Sequence, residues 1–142
     1  MEKKNVLFIC VHNSARSQMA ETFLKELAAD QFHVESAGLE PTSVNPLVIE
    51  VMKESGHDLS EKTAQSVFDL FKKGRLFDYV ITVCDDAAED KCPIFPGICH
   101  RFHWPFPDPE QLTGTYEEKL HSLRKIRDSI RSRMEEWVKT LK

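Results

Sequence analysis

The chain has 142 residues, with 19 Lys and Arg against 23 Asp and Glu and a formal net charge of -4. That length suits one ordinary domain spanning residues 1–142, and the acidic balance excludes a global basic field for gathering nucleic acid or anionic membrane. The apolar run near the N-terminus, about six residues, is too short for a secretory or membrane-spanning segment, so the expectation is a cytoplasmic protein. In that compartment, four cysteines (Cys10, Cys84, Cys92 and Cys99) point to metal binding or redox catalysis rather than a permanent disulfide framework.

In chain order, "NVLFIC" (5–10) is a continuous apolar run of the kind that forms a strand buried on both faces. Ser17 then reads as the N-cap of a helix carrying Met19, Ala20, Phe23, Leu24 and Leu27 at helical spacing. "FHVESAG" (32–38) reads as a strand stopped by Gly38, and 44–56 as a helix capped by Asn45, with Pro46 in its first turn and Gly56 at its end. A short helix over 66–74 precedes a second cysteine-ending strand, "FDYVITVC" (77–84), and "CHRFHW" (99–104) supplies a last strand. A Thr115-x-x-Glu118 capping box opens the final helix, whose face carries Leu120, Leu123, Ile126, Ile130, Met134, Trp137 and Leu141. Strands alternating with helices predict an α/β fold: a three-layer sandwich with a four-stranded parallel sheet and helices on both faces. Ligands of such sheets bind beyond the carboxyl ends of the strands, where Cys10 and Cys84 both fall.

Three stretches carry chemistry. In "CVHNSARS" a strand-to-helix turn directs backbone N–H groups and a helix dipole at one spot, while Arg16 adds a bidentate cation. Such a site holds a tetrahedral oxyanion and favours a thiolate at Cys10, with Ser17 as a further donor to the sulfur. Asn13 is suited to a positive φ in this glycine-free loop. The plain alternative makes Cys10 a core residue and Arg16 a solvated one. In "VCDDAAEDKCP", a helical path between Cys84 and Cys92 would separate them by roughly 12 Å, so a disulfide would require the segment to unwind, as in a redox switch. A zinc site drawing on Cys84, Cys92, Cys99, His100 and His103 and a set of inert core thiols are the competing readings. In "PFPDPE", Asp108 sits between two prolines, stiff enough to serve as a general acid with a raised pKa, although Asp-Pro alone is more often a turn former.

"CVHNSARSQMAE" resembles the Cys-x5-Arg-Ser loop of the low-molecular-weight protein tyrosine phosphatase superfamily, which includes thioredoxin-coupled arsenate reductases, and the similarity runs from Val6 to the last helix. Gln18, where the phosphatases usually show proline, together with Cys84 and "CPI" after Cys92, resembles the reductase branch. The spacing of that pair is about one residue longer than in the best-known reductases. The resemblance implies a low-molecular-weight phosphatase-like fold and an oxyanion cradle of Val11, His12, Asn13, Ser14, Ala15, Arg16 and Ser17. It implies Cys10 as nucleophile, Cys84 and then Cys92 as resolving thiols, and Asp108 as general acid. Arsenate would be the substrate, with phosphate or sulfate competing, and thioredoxin the partner; neither nucleic acid nor membrane is expected to bind. No cofactor is required by this reading. Some reductases of the family bind potassium through Asn, Glu, Ser and Asp; Asn13, Glu21 and Ser36 match here, with Gln65 in place of the aspartate.

Glu110 follows Asp-Pro where the phosphatases commonly carry an aromatic residue, which disfavours an aryl phosphate as substrate. A phosphatase needing only Cys10, Arg16 and Asp108 is the second reading, and an oxyanion or metal sensor the third. Of the histidines, His12 lies in the loop, while His33, His57 and His121 read as surface residues.

Overall fold

The computed structural model describes residues 3–84, 91–95, 97 and 99–141. The expected helical path between Cys84 and Cys92 falls on 85–90, outside the described residues. Four strands, β1 (Lys4–Cys10), β2 (Phe32–Gly38), β3 (Tyr79–Thr82) and β4 (His100–His103), form a parallel sheet in the order β2-β1-β3-β4. Among the described residues the α-helices are α1 (Arg16–Ala28), α2 (Pro46–Glu54), α3 (Val67–Lys72) and α4 (Tyr116–Thr140).

The alternation along β1 explains the layers. Val6, Phe8 and Cys10 point into a core shared with α1, α2 and α4, whereas Leu7 and Ile9 join Val67 and Leu70 of α3 on the other face. With both faces covered, β1 reads as an unbroken apolar run. Each fully buried Phe or Leu of these cores contributes about 2 kcal/mol relative to an exposed one. Along α4 the residues at helical spacing are buried as expected, but Leu141 lies at the C-cap and is 39% exposed. The apolar face ends instead on Trp137 and Val138, because the helix stops before Leu141 can turn inward.

The caps show how local chemistry sets the element ends. Asn45 Oδ1 accepts from Leu47 N at the start of α2, and Thr115 and Glu118 form both halves of the capping box. Ser17 is a correction: α1 begins at Arg16, with Ala15 at the N-cap position and no side-chain cap. Its hydroxyl is used elsewhere, on Cys10. His57 is another, being half-buried, edge-on to Phe23 and hydrogen-bonded to Glu26 at 3.1 Å. Among the described residues no helix is long and apolar enough to cross a membrane.

Strand order fixes where a ligand can sit. The chain leaves central β1 for β2 on one side and returns to β3 on the other, so the crevice lies between the carboxyl ends of β1 and β3. Ile9 pairs with Thr82, which brings the loop after Cys10 beside Cys84.

Candidate active site

The loop from Cys10 to Arg16 is held from outside by its carbonyls. Those of Cys10, Val11, His12 and Ser14 accept from the N–H groups of Leu39, Glu40, Thr42 and Asn45 at 2.7 to 3.1 Å. Among the described residues no peptide is cis, so each outward carbonyl turns the next N–H the opposite way, and the N–H groups of Val11, His12, Asn13 and Ala15 face inward. Inward amides at the start of α1 make a concave anion site. Gly38, paired with Cys10 across the sheet, makes room for this: a Cβ there would lie 2.8 Å from both Asn13 N and Val11 O. Sequence reading treated Gly38 only as a strand stop, since nothing local reveals the loop folding over it.

Cys10 is 2% exposed and its sulfur has defined partners. Asn13 N donates to Sγ at 3.3 Å, and Ser17 Oγ lies 2.9 Å from it. Asn13 adopts φ 53°, as its residue type allows. Its Oδ1 accepts from Gln65 N, which orients the amide so that Nδ2 donates to Ser17 Oγ at 2.7 Å and Ser36 Oγ at 2.9 Å. With that lone pair engaged, the Ser17 hydrogen is free to point at sulfur, and two donors then converge on Sγ. Gln18 adds a clamp that sequence reading did not assign, donating from Nε2 to Asn13 O at 3.1 Å and Thr63 O at 3.3 Å.

Arg16 is not a solvated helix residue. It is 4% exposed, donates from one terminal nitrogen to Phe106 O at 3.2 Å, and sets the other 3.8 Å from Asp108 Oδ1. The Asp-Pro segment therefore lies against the loop, with Asp108 Oδ1 also accepting from Glu110 N at 2.9 Å. The half-buried His12 bonds Glu40 O through Nδ1 at 3.0 Å, fixing the loop edge.

None of the four cysteines is in a disulfide. Cys84 is fully buried, and its thiol hydrogen-bonds Cys92, so the two sulfurs are already neighbours. The hydrogen bond to Cys92, followed by burial and the negative charge Cys92 can carry, pushes the Cys84 pKa far up, while the positive charge of Arg16 opposes the rise. Cys84 belongs to the same core as Cys10, whereas Cys92 packs with Phe77 and Phe95 across the sheet. Cys99 is half-buried at the edge of that second cluster, and burial raises its pKa. No group of three metal-ligating side chains occurs among the described residues, which leaves the zinc reading without a constellation there.

The residues matched to potassium ligands do come together, but the set does not fit a cation. Ser36 Oγ accepts from Asn13 and donates to Glu21 Oε1 at 2.6 Å; Asn13 Oδ1 accepts from Gln65 N; and Gln65 Nε2 donates to Ser36 O at 2.9 Å. Glu21 Oε2 binds the ammonium groups of Lys25, at 2.7 Å, and Lys62. Burial alone would raise the Glu21 pKa, but hydrogen bonds from Lys25, Lys62 and Ser36 with the charge of Lys62 outweigh it, so the net shift is downward. Positive charge is thus already supplied by two side chains, and sequence reading gave Lys62 no part in this.

A buried cysteine under inward amides, beside a buried arginine at the switch point of a parallel sheet, is the layout of a cysteine-based oxyanion enzyme. The profile of the low molecular weight phosphotyrosine protein phosphatases matches residues 5–142, and the chain belongs to that family. Within it, the chain is 42% identical over 141 residues to an arsenate reductase of Bacillus subtilis, covering 99% of each sequence. A solved arsenate reductase in its phosphate-binding state superposes with a TM-score of 0.74 at 30% identity, covering 98% of this chain and 99% of that one. The thioredoxin-dependent arsenate reductase of Corynebacterium glutamicum superposes with a TM-score of 0.71 at 33% identity, over 97% of this chain and 61% of that one.

Proposed function

We propose that the chain reduces arsenate to arsenite by a three-thiol cascade, with thioredoxin restoring the thiols. The observation that carries this reading is the Cys84–Cys92 thiol pair at the edge of the Cys10 loop, close enough to Arg16 to feel its charge. A phosphatase mechanism would have no use for two further thiols at that place. The similarity to named arsenate reductases supports the same reading.

In the first step Cys10 sulfur attacks arsenic held by Arg16 and the inward amides. An As–O bond breaks, and the departing oxygen takes a proton from Asp108. Cys84 sulfur then attacks Cys10 sulfur: the S–S bond forms, the S–As bond breaks, and its electron pair stays on arsenic, which leaves as arsenite. Cys92 attacks Cys84 next, moving the disulfide to Cys84–Cys92 and freeing Cys10 as thiolate. A dithiol reductant returns two electrons to that disulfide. The raised pKa keeps the resting Cys84 protonated, so the pair must ionise once before the second step, and Arg16 draws the resulting charge towards Cys84. A cytosolic setting, where thiols are kept reduced, suits four cysteines outside any disulfide.

The test couples the protein to thioredoxin, thioredoxin reductase and NADPH, then adds arsenate. Arsenate-dependent NADPH consumption is expected in the wild type and lost in Cys10→Ser, Cys84→Ser and Cys92→Ser. Full turnover in Cys92→Ser would end the cascade, and brisk aryl phosphate hydrolysis with no arsenate turnover would favour the phosphatase.

A further inference from the structure

Gln18 takes no part in the steps above, although it is 1% exposed and bonds the loop directly. The loop carbonyls are held away from the cradle in two ways. Those of Cys10, Val11, His12 and Ser14 accept from main-chain N–H groups of the segment after β2, and that of Ala15 accepts from Met19 N at 3.0 Å in the first turn of α1. Among these described residues only the Asn13 carbonyl is held by a side chain, accepting from Gln18 Nε2 at 3.1 Å. Nε2 also donates to Thr63 O at 3.3 Å. Thr63 stands just before Gln65 and Ser66, which pair with Gly38 on the edge of β2 away from β1 and β3. The Asn13 carbonyl is thus drawn away from the crevice between β1 and β3.

Two features mark this clamp as more than packing. Asn13 carries the positive φ, a conformation that a residue with a Cβ keeps only where its surroundings hold it. Gln18 also leaves its own Oε1 buried without a partner among the described residues. Turning the amide over would satisfy nothing, because Oε1 would then face two carbonyl oxygens. A buried acceptor left unpaired costs stability, so this side chain gives up part of its own hydrogen bonding to keep Nε2 on both backbone carbonyls.

We infer that Gln18 is a positioning residue for oxyanion capture: by holding the Asn13 carbonyl outward, it presents the Ser14 N–H to the bound anion. This rests on the oxyanion-binding part of the reading above. Across a trans peptide the N–H points opposite to the carbonyl, so the Ser14 N–H faces the same way as those of Val11, His12 and Ala15. No described residue accepts from it, which leaves it open to a ligand oxygen. Released, the Asn13 carbonyl is free to swing toward the cradle and set the negative end of a dipole where the anion sits. Gln18 donates only to backbone and so acts through this one peptide.

The test follows the backbone amides of the reduced, isotope-labelled protein by NMR while inorganic phosphate is added. In the wild type the amide protons of Val11, His12, Ser14 and Ala15 should all shift downfield on saturation. Gln18→Met keeps the side-chain length and removes the donor. In that variant Ser14 should lose most of its shift, while Val11 and His12, whose preceding carbonyls are held by main chain, keep theirs. Phosphate should bind about tenfold more weakly, the scale of one hydrogen bond to a charged group. An unchanged Ser14 response or an unchanged affinity in Gln18→Met overturns the inference. So does an equal loss at Val11, His12 and Ser14, which would assign Gln18 to general support of the loop. The wild type decides even where the variant fails to fold, since a Ser14 amide that stays put while Val11 and His12 move also overturns it. Wild-type amides that all ignore phosphate would remove the oxyanion site and this inference together. None of these measurements uses arsenate, thioredoxin, Cys84 or Cys92. Loss of arsenate turnover therefore leaves the role of Gln18 standing, and a silent Ser14 leaves the thiol cascade standing.

Discussion

Around Cys10 the sulfur meets donors that are themselves tied down: Asn13 and Ser17 bond to it, Ser36 and Gln65 bond to Asn13, and Glu21 bonds to Ser36. Around Cys84 the sulfur meets another thiol, in a dry setting that resists ionisation. One region is organised to keep its shape while negative charge arrives, which is what oxyanion capture requires. The other holds two sulfurs within reach of exchange, with Arg16 as the shared charge. A tied-down cradle and a pair of neighbouring thiols thus stand at the carboxyl ends of β1 and β3.

The largest break in this division should come from Cys92→Ala. Multiple-turnover arsenate reduction should fall by about a thousandfold or more, while a single equivalent of arsenite is still released, because the first two steps need only Cys10 and Cys84. Quantifying arsenite released per enzyme with and without thioredoxin checks both halves.

Gly38→Ala attacks the cradle without touching any reacting atom. The added Cβ must displace loop backbone at Asn13 and Val11, and a loop misplaced on that scale should cost about a hundredfold in kcat/KM and weaken phosphate binding in parallel. Unchanged phosphate affinity with a folded variant would show that the loop does not need this close approach.

Glu21→Gln probes the far end of the same network. Removing a buried carboxylate with three donors should cost about 1 to 3 kcal/mol, moderated because Lys25 and Lys62 can reach water. The folded-state pKa of Glu21 lies below its unfolded value, so its stabilisation is present at neutral pH and is lost as pH falls through the folded value. Urea unfolding of both proteins should therefore differ at pH 7 and converge in acid.

Smaller effects sharpen the contrast. In single-turnover experiments Cys92→Ala removes the hydrogen bond that raises the Cys84 pKa, so the pH at which Cys84 begins to react should move down. The rate of Cys10–Cys84 disulfide formation against pH reads this, and a midpoint moving up would break the assignment. Smallest of all is the response to potassium: with Lys25 and Lys62 on Glu21, melting in KCl and NaCl at equal ionic strength should agree within about 1 °C. A potassium-specific rise would show that a cation displaces Lys62.

Much of the cradle was legible because its parts are contiguous. Cys10, Asn13, Arg16 and Ser17 follow one buried strand within eight residues, so local pattern located the turn, the positive φ and the donor to sulfur. Ser17 was misread as a cap because caps and sulfur ligands draw on the same hydroxyl chemistry. Lys62 carried no signal of its own and Gly38 only that of a strand stop, because each acts on a partner 25 to 41 positions away.

The sequence by itself determined the order of strands and helices, the makeup and turn of the Cys10 loop and the presence of spare thiols, since these depend on periodicity and near neighbours along the chain. Only the tertiary structure decided that Cys84 touches Cys92, that lysines neutralise Glu21, and that Glu110 bonds Ser14 and Asn45. Those contacts arise where the parallel sheet gathers distant loops at one end, and hydrogen bonds formed there depend on ångström-scale placement that residue spacing does not encode.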